Sequence, residues 1–166
     1  DTRALIDTGN KFKTNLSIVK SVVNSNEKRK NLLINRVEKI LSYNLKNKTI
    51  AFLGVTFKPN TDDMREASSI PMIKYLNKKK SKIKYYDPSG EKDNFKNLKN
   101  VTFCNTISAT CLKADLIILH TEWNDFKLLN FKKLTKKKKF TIYDMRNMYS
   151  PLRMKKLKIN YLGVGR

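Results

Sequence analysis

From residue 47 onward, short apolar runs alternate with helix-like segments, and few folds accommodate that alternation. Ile50-Ala51-Phe52-Leu53 is an apolar run followed by Gly54, the signature of a buried strand ending in a turn. A helix is expected after it, with Ser68 or Ser69 as cap, Pro71 in its first turn, and Ile73, Tyr75 and Leu76 within it. Lys82–Tyr86 reads as a second strand, closed by Asp87-Pro88-Ser89-Gly90, and Val101–Phe103 as a third. A short helix over 105–113 precedes Asp115–Leu119, the most apolar strand of the set. Phe126, Leu128, Leu129, Phe131 and Leu134 predict a helix over 125–136. Phe140–Asp144 predicts a fifth strand, Pro151–Lys156 a short helix, and Ile159–Leu162 a last strand. Strands and helices in alternation with short connections imply α/β architecture: a Rossmann-like parallel sheet with helices on both faces and right-handed crossovers.

Residues 1–46 read differently. Leu16, Val19, Val22, Val23, Leu33, Val37, Ile40 and Leu41 recur at helical spacing, and no Gly or Pro interrupts residues 10–53. The expectation is a long helix of about 25 to 30 residues, capped by Thr14 or Asn15. It spans two domains, packs against a partner subunit, or serves as an ordinary core helix. The domain reading is therefore 1–46 as a helical linker or dimerisation segment and 47–166 as the α/β domain.

With 166 residues, the chain is long enough for one domain plus an appendage. No apolar run reaches the roughly 18 residues that cross a bilayer, so no membrane association is expected. Two cysteines with six residues between them, and one histidine in the whole chain, fit neither a metal site nor a disulfide framework. Cys104 and Cys111 read as thiols in a reducing cytoplasm, and no metal is expected. The formal net charge of +22 raises nucleic-acid binding as a rival function. The basic residues are 29 Lys and 7 Arg, and the scarcity of Arg argues against base readout. Lysine is scattered through every segment, with runs at Lys78–Lys80 and Lys136–Lys139, and 18 Asn accompany it. That texture reads as AT-rich coding rather than as a nucleic-acid surface.

In parallel sheets ligands bind beyond the carboxyl ends of the strands, so the loops after Leu53, Tyr86, Leu119 and Asp144 carry the chemistry. The loop from Gly54 to Glu66 contains neither a Walker A motif nor G-x-G-x-x-G. Lys58 and Arg65 flank a strand end and a helix start, where a phosphate is favoured; Asp62, Asp63 and Arg65 equally suit a structural ion-pair cluster. Trp123, the sole tryptophan, either stacks on a ligand base or plugs the sheet edge. His120 reads as structural, because no partner is placed beside it by sequence. Arg146 suits a phosphate or carboxylate fork, with a salt bridge to Asp144 or Glu122 as the alternative.

Three segments, IAFLGVTFKPNTDDMREASSIPMIKYL, ADLIILHTEWNDF and IYDMRNMYS, together with DTRALIDTGNKF at the start, resemble the UDP-glucose/GDP-mannose dehydrogenase family. FKPNTDDMREA is the most specific of these strings. Thr121-Glu122-Trp123 and the closing Gly-Val-Gly-Arg favour the UDP-glucose branch.

The resemblance implies an enzyme in three parts: an N-terminal NAD-binding Rossmann domain, a central helix that makes a homodimer, and a C-terminal domain that binds the UDP part of the substrate. This chain matches the last two. The family oxidises the C6 alcohol of UDP-glucose, or a related UDP-sugar, to a carboxylate with two NAD through a thioester on a cysteine. Asp1 matches an aspartate that assists catalysis near the attacking water. Phe57 and Lys58 match substrate-binding positions, Arg146 an arginine near the substrate diphosphate, and Arg65 an arginine that contacts NAD. Met145 stands where a Gly is usual. Cys104 and Cys111 match no catalytic position. With the nucleophile and NAD domain outside this sequence, the expectation is a binding module without turnover, or a half that complements a separate N-terminal half.

Overall fold

The computed structural model describes residues 2–165, so the catalytic expectation for Asp1 lies outside the described residues. The chain divides into two compact units, one ending at Arg36 and the other beginning at Val37.

The first unit holds helix α1 (Thr2–Lys11) and most of α2 (Ser17–Ile40). The helical texture of residues 1–46 is therefore broken once. Phe12 and Thr14 return their amides to Thr8 and Gly9, and Lys13 takes a left-handed φ of 54°, which ends α1. Neither Thr14 nor Asn15 is the cap of α2, because that helix starts at Ser17. Gly9 sits against the Leu16 side chain, where a Cβ would meet Cδ1 at 2.4 Å. Arg3 donates to Glu27 at 2.8 Å, and Lys30 does so at 2.9 Å.

The second unit is a six-stranded, wholly parallel sheet of order β3-β2-β1-β4-β5-β6. Its strands are β1 (Thr49–Leu53), β2 (Lys82–Tyr86), β3 (Val101–Phe103), β4 (Leu116–Leu119), β5 (Thr141–Asp144) and β6 (Asn160–Gly163). β1 and β4 are buried throughout except Thr49, which is why they read as continuous apolar runs rather than alternating ones. The helices are α3 (Ser69–Lys78), α4 (Ile107–Cys111), α5 (Phe131–Thr135) and α6 (Pro151–Lys156).

Ala51 and Leu53 of β1 join Ile117, Leu119 and Ile142 in one core layer with Cys111 of α4, Phe131 of α5 and Met154 of α6. Ile50 and Phe52 face the other way by strand alternation. A right-handed β1–β2 crossover puts α3 on that second face, where Met72, Ile73 and Leu76 are fully buried.

One expected helix is split. Residues 125–136 form a single 3-10 turn at Asn124–Phe126 and then α5. The Tyr149 hydroxyl donates to Phe126 O and accepts from the Leu129 amide, which fixes the connection between the two. Asn130 then caps α5 by accepting from the Lys133 amide at 3.2 Å.

Candidate functional site

The strand order reverses between β1 and β4, since β1 leads leftward to β2 and β4 leads rightward to β5. That is the switch point of a doubly wound sheet, where such sheets form their ligand crevice beyond the carboxyl ends.

The β1 loop is tied down by its neighbours. Gly54 has φ 76° and donates to Tyr86 O at 2.8 Å. A Cβ there would lie 2.5 Å from Thr121 Cβ, so glycine is required both by φ and by the close approach of the β4 loop. Asp87, buried at the end of β2, accepts the Val55 amide at 2.7 Å and the Thr56 amide at 3.3 Å on Oδ2. Its Oδ1 accepts the Ser89 amide and hydroxyl. Lys92 Nζ then donates to Ser89 Oγ at 2.7 Å, so a buried lysine balances the acid through a serine.

His120 is fully enclosed beneath the crevice. Thr121 Oγ1 donates its proton to Thr56 O at 2.7 Å, so it accepts from His120 Nδ1 at 3.1 Å. His120 Nε2 therefore accepts the Ser68 hydroxyl at 2.9 Å. Burial, with repulsion from Arg146 added, holds the imidazole pKa down to about 3. The ring is neutral and bonded at both nitrogens, which is the architecture of a brace between α3, β4 and the β1 loop.

Arg146 closes the crevice from β5. Its amide is held by Asp144 Oδ1 at 3.0 Å, and Asp144 is itself fully buried, accepting from the Tyr149 amide and the Tyr161 hydroxyl. The guanidinium donates Nε–H to His120 O at 2.7 Å and Nη2–H to Phe57 O at 3.3 Å. Glu122 Oε2 lies 3.0 Å from the same Nε. That N–H is aimed at His120 O, so Glu122 contributes charge but no aligned hydrogen bond, and its oxygen is otherwise unpartnered. Arg146 Nη1 makes no hydrogen bond among the described residues, and the side chain keeps 35% exposure. Of the two readings of Arg146, the ion pair is observed, and it is made to Glu122 rather than to Asp144.

Of the residues singled out in the sequence, Phe57 and Arg146 come together through the Phe57 carbonyl. The Phe57 ring is half exposed, and Lys58 is exposed beside it. Arg65 does not join them. It forms a bidentate pair with Asp63, Nε to Oδ1 at 3.0 Å and Nη2 to Oδ2 at 2.9 Å, while its own side chain is 90% exposed. Hydrogen bonds from Arg65 hold the Asp63 carboxyl down at about 2. Trp123 is half-buried and packs against the core layer, with its Nε1 buried and without a hydrogen-bond partner. The bracing roles of Asp87, Ser68 and Thr121 were not visible in the sequence. The one signal was an acid directly after a strand at the crevice end.

Thr121 packs against Gly54, and the Asp87 carboxylate is taken up by Val55, Thr56 and Ser89. Among the described residues no three His, Cys, Asp or Glu side chains converge as metal ligands. No helix among them is long and apolar enough to cross a membrane.

A doubly wound parallel sheet with three loops braced around an outward-facing arginine at its switch point defines a nucleotide-binding type of α/β domain, of the Rossmann-like class. Residues 51–151 match the UDP-glucose/GDP-mannose dehydrogenase family, UDP binding domain, and the chain belongs to that family. It is 36% identical over 151 residues to UDP-glucose 6-dehydrogenase of Rickettsia felis, covering 89% of this chain and 34% of that protein. With the Rhizobium meliloti enzyme of the same name the identity is 31%, covering 100% and 38%. The chain thus spans about a third of the length of these curated relatives. In fold it resembles a UDP-glucose dehydrogenase from Pyrobaculum islandicum, with TM-score 0.72 at 24% identity over 86% of this chain and 32% of that one.

Proposed function

We propose that this chain is the UDP-sugar-binding, C-terminal part of an NAD-dependent UDP-glucose 6-dehydrogenase, the enzyme class that converts UDP-glucose to UDP-glucuronate. One observation carries the reading: the family match runs from β1 to the start of α6 and so includes every loop at the carboxyl ends of β1, β2, β4 and β5. Within that frame Arg146 offers its free Nη1 edge to the substrate diphosphate. Lys58 adds a second positive charge on the rim, and the half-exposed Phe57 ring supplies an apolar contact. Residues 47–166 are the binding domain and 1–46 a helical linker.

NAD, as a hydride acceptor, belongs to the complete enzyme. The contribution proposed for this chain is Arg65, which reaches a cofactor seated elsewhere by leaving Asp63. An exposed pair of that kind is weak and opens readily. The role of Asp1 in catalysis rests on the resemblance of its sequence segment. α1, the turn after it and α2 leave Leu5, Phe12, Ile18, Val22 and Leu32 exposed, which supports pairing of two copies through the helical unit.

Calorimetric titration of UDP-glucose tests the reading. Saturable heat is expected for the unaltered chain, weakened by Lys58→Ala and by Arg146→Ala, with no NADH formed when NAD is added. Absence of heat, or variants that bind as tightly as the parent, would overturn it.

A further inference from the structure

The lysine run at 136–139 takes no part in the crevice. It lies at the other end of the strands. α5 ends at Thr135, and Lys136 adopts a left-handed φ of 50°, which turns the chain toward β5. Lys137 pairs with Asp115 Oδ1, while Oδ2 of the same carboxylate accepts the Thr49 amide at 2.8 Å. Asp115 stands just before β4, so its charge is compensated on both oxygens.

Around it a cleft of about 580 Å³ opens at the amino ends of β1, β4, β5 and β6. Lys48, Lys132, Lys138, Lys139 and Lys158 line it, and Asp115 is the only acid among the described residues that does. Among the described residues none of these five lysines is ion-paired with a carboxylate. Five lysines line a cleft that holds one carboxylate, Asp115, whose charge acts on Lys48 and is paired with Lys137, so the net potential there is positive. Apolar surface from Ile40, Leu41 and Phe140 shares the lining with neutral hydrogen-bonding groups on Ser42, Asn44 and Asn160.

We propose that this cleft is a second anion site, which takes a compact polyphosphate of the nucleoside di- or triphosphate class. The lysines meet the phosphates, and the apolar lining has room for a flat base. The volume is in the range of small-molecule sites, and the cleft is wide and open to solvent. The site is separate from the crevice, since the two lie at opposite ends of the same strands.

The test is calorimetric titration of the full chain with tripolyphosphate, and separately with ATP, at about 0.15 M salt, where exposed charges are screened beyond roughly 8 Å. Saturable binding is expected, weakened about tenfold or more by the combined change Lys138→Glu, Lys139→Glu and Lys158→Glu. Lys11→Glu, Lys13→Glu and Lys20→Glu make the same change in charge at the far end of α2 from Ile40 and should leave binding within about twofold. UDP-glucose affinity should stay unchanged in both variants, which separates this site from the crevice. Equal loss in the two triple variants, no saturable binding, or tighter binding of a single-stranded oligonucleotide than of tripolyphosphate would each overturn the proposal. Melting curves establish that the variants fold; should the cleft triple variant fail, Lys139→Gln against Lys20→Gln makes the same comparison.

Discussion

The Asp87 carboxylate at the end of β2 accepts the Val55 amide at 2.7 Å, so the loop that leaves β1 is anchored by an acid 32 positions later. The same oxygen takes the Thr56 amide, and together these bonds set where Phe57 and Lys58 emerge. Replacing Asp87 with Ala leaves two buried amides unpaired and Lys92 without its counter-charge. The expected loss is about 3 kcal/mol in urea denaturation, with UDP-glucose binding lost in proportion. Unchanged stability would show that the loop is held by other contacts.

Gly54→Ala tests the close approach of the β1 and β4 loops. The new Cβ meets Thr121 Cβ at 2.5 Å in a residue held at φ 76°. A loss of about 2 kcal/mol or more is expected from strain and displacement of Thr121. Gly90→Ala is the comparison: φ is 89° but nothing lies within 4 Å, so only the conformational part of about 1 kcal/mol should appear.

His120 makes stability depend on pH. Its folded pKa, about 3, lies below the ordinary 6.5, so the unfolded chain binds a proton that the folded chain refuses. The contribution is fully present above pH 6.5 and is lost as pH falls toward 3, at up to about 1.4 kcal/mol per pH unit. Between pH 6.5 and about 5, above the range of the carboxylates, the decline belongs mainly to this ring. His120→Gln should flatten stability against pH in that interval, and a slope unchanged from the parent would contradict the assignment.

Arg146→Lys keeps one positive charge and loses the fork. Lysine cannot donate at once to His120 O, to Phe57 O and to a diphosphate. UDP-glucose affinity should fall about ten- to hundredfold with little change in melting temperature. Equal affinity would mean that only charge is read at this position.

The two thiols should differ in reactivity. Cys111 is buried in the core layer with its pKa pushed up to about 12 by burial, whereas Cys104 is partly exposed. A thiol reagent at neutral pH should label one site quickly and the second only on unfolding. Fast labelling of both would place Cys111 outside the core.

The parallel sheet was readable in the chain because β1 and β4 are apolar on both faces and because β1 is followed by Gly54. Pro151 at the start of α6 made that helix readable too, and the structure adds Ser150 as its cap. The split in residues 125–136 was not, because it depends on the Tyr149 hydroxyl, which arrives from beyond β5 to bond Phe126 and Leu129. Helical spacing of apolar residues cannot reveal a competing partner that distant.

By itself the sequence determined the order of elements, the absence of a glycine-rich pyrophosphate loop, and the string of residues that carries the family resemblance, since all three are local patterns. Tertiary structure decided which of those residues act together. It joined Phe57 to Arg146 through a carbonyl and left Arg65 with Asp63. It converted His120 from a lone histidine into a brace between Ser68 and Thr121. It also gathered lysines scattered from 48 to 158 around one cleft. The physical reason is that a parallel sheet brings residues far apart in the chain to the same strand ends, where burial and hydrogen-bond geometry, rather than spacing, fix what each side chain can do.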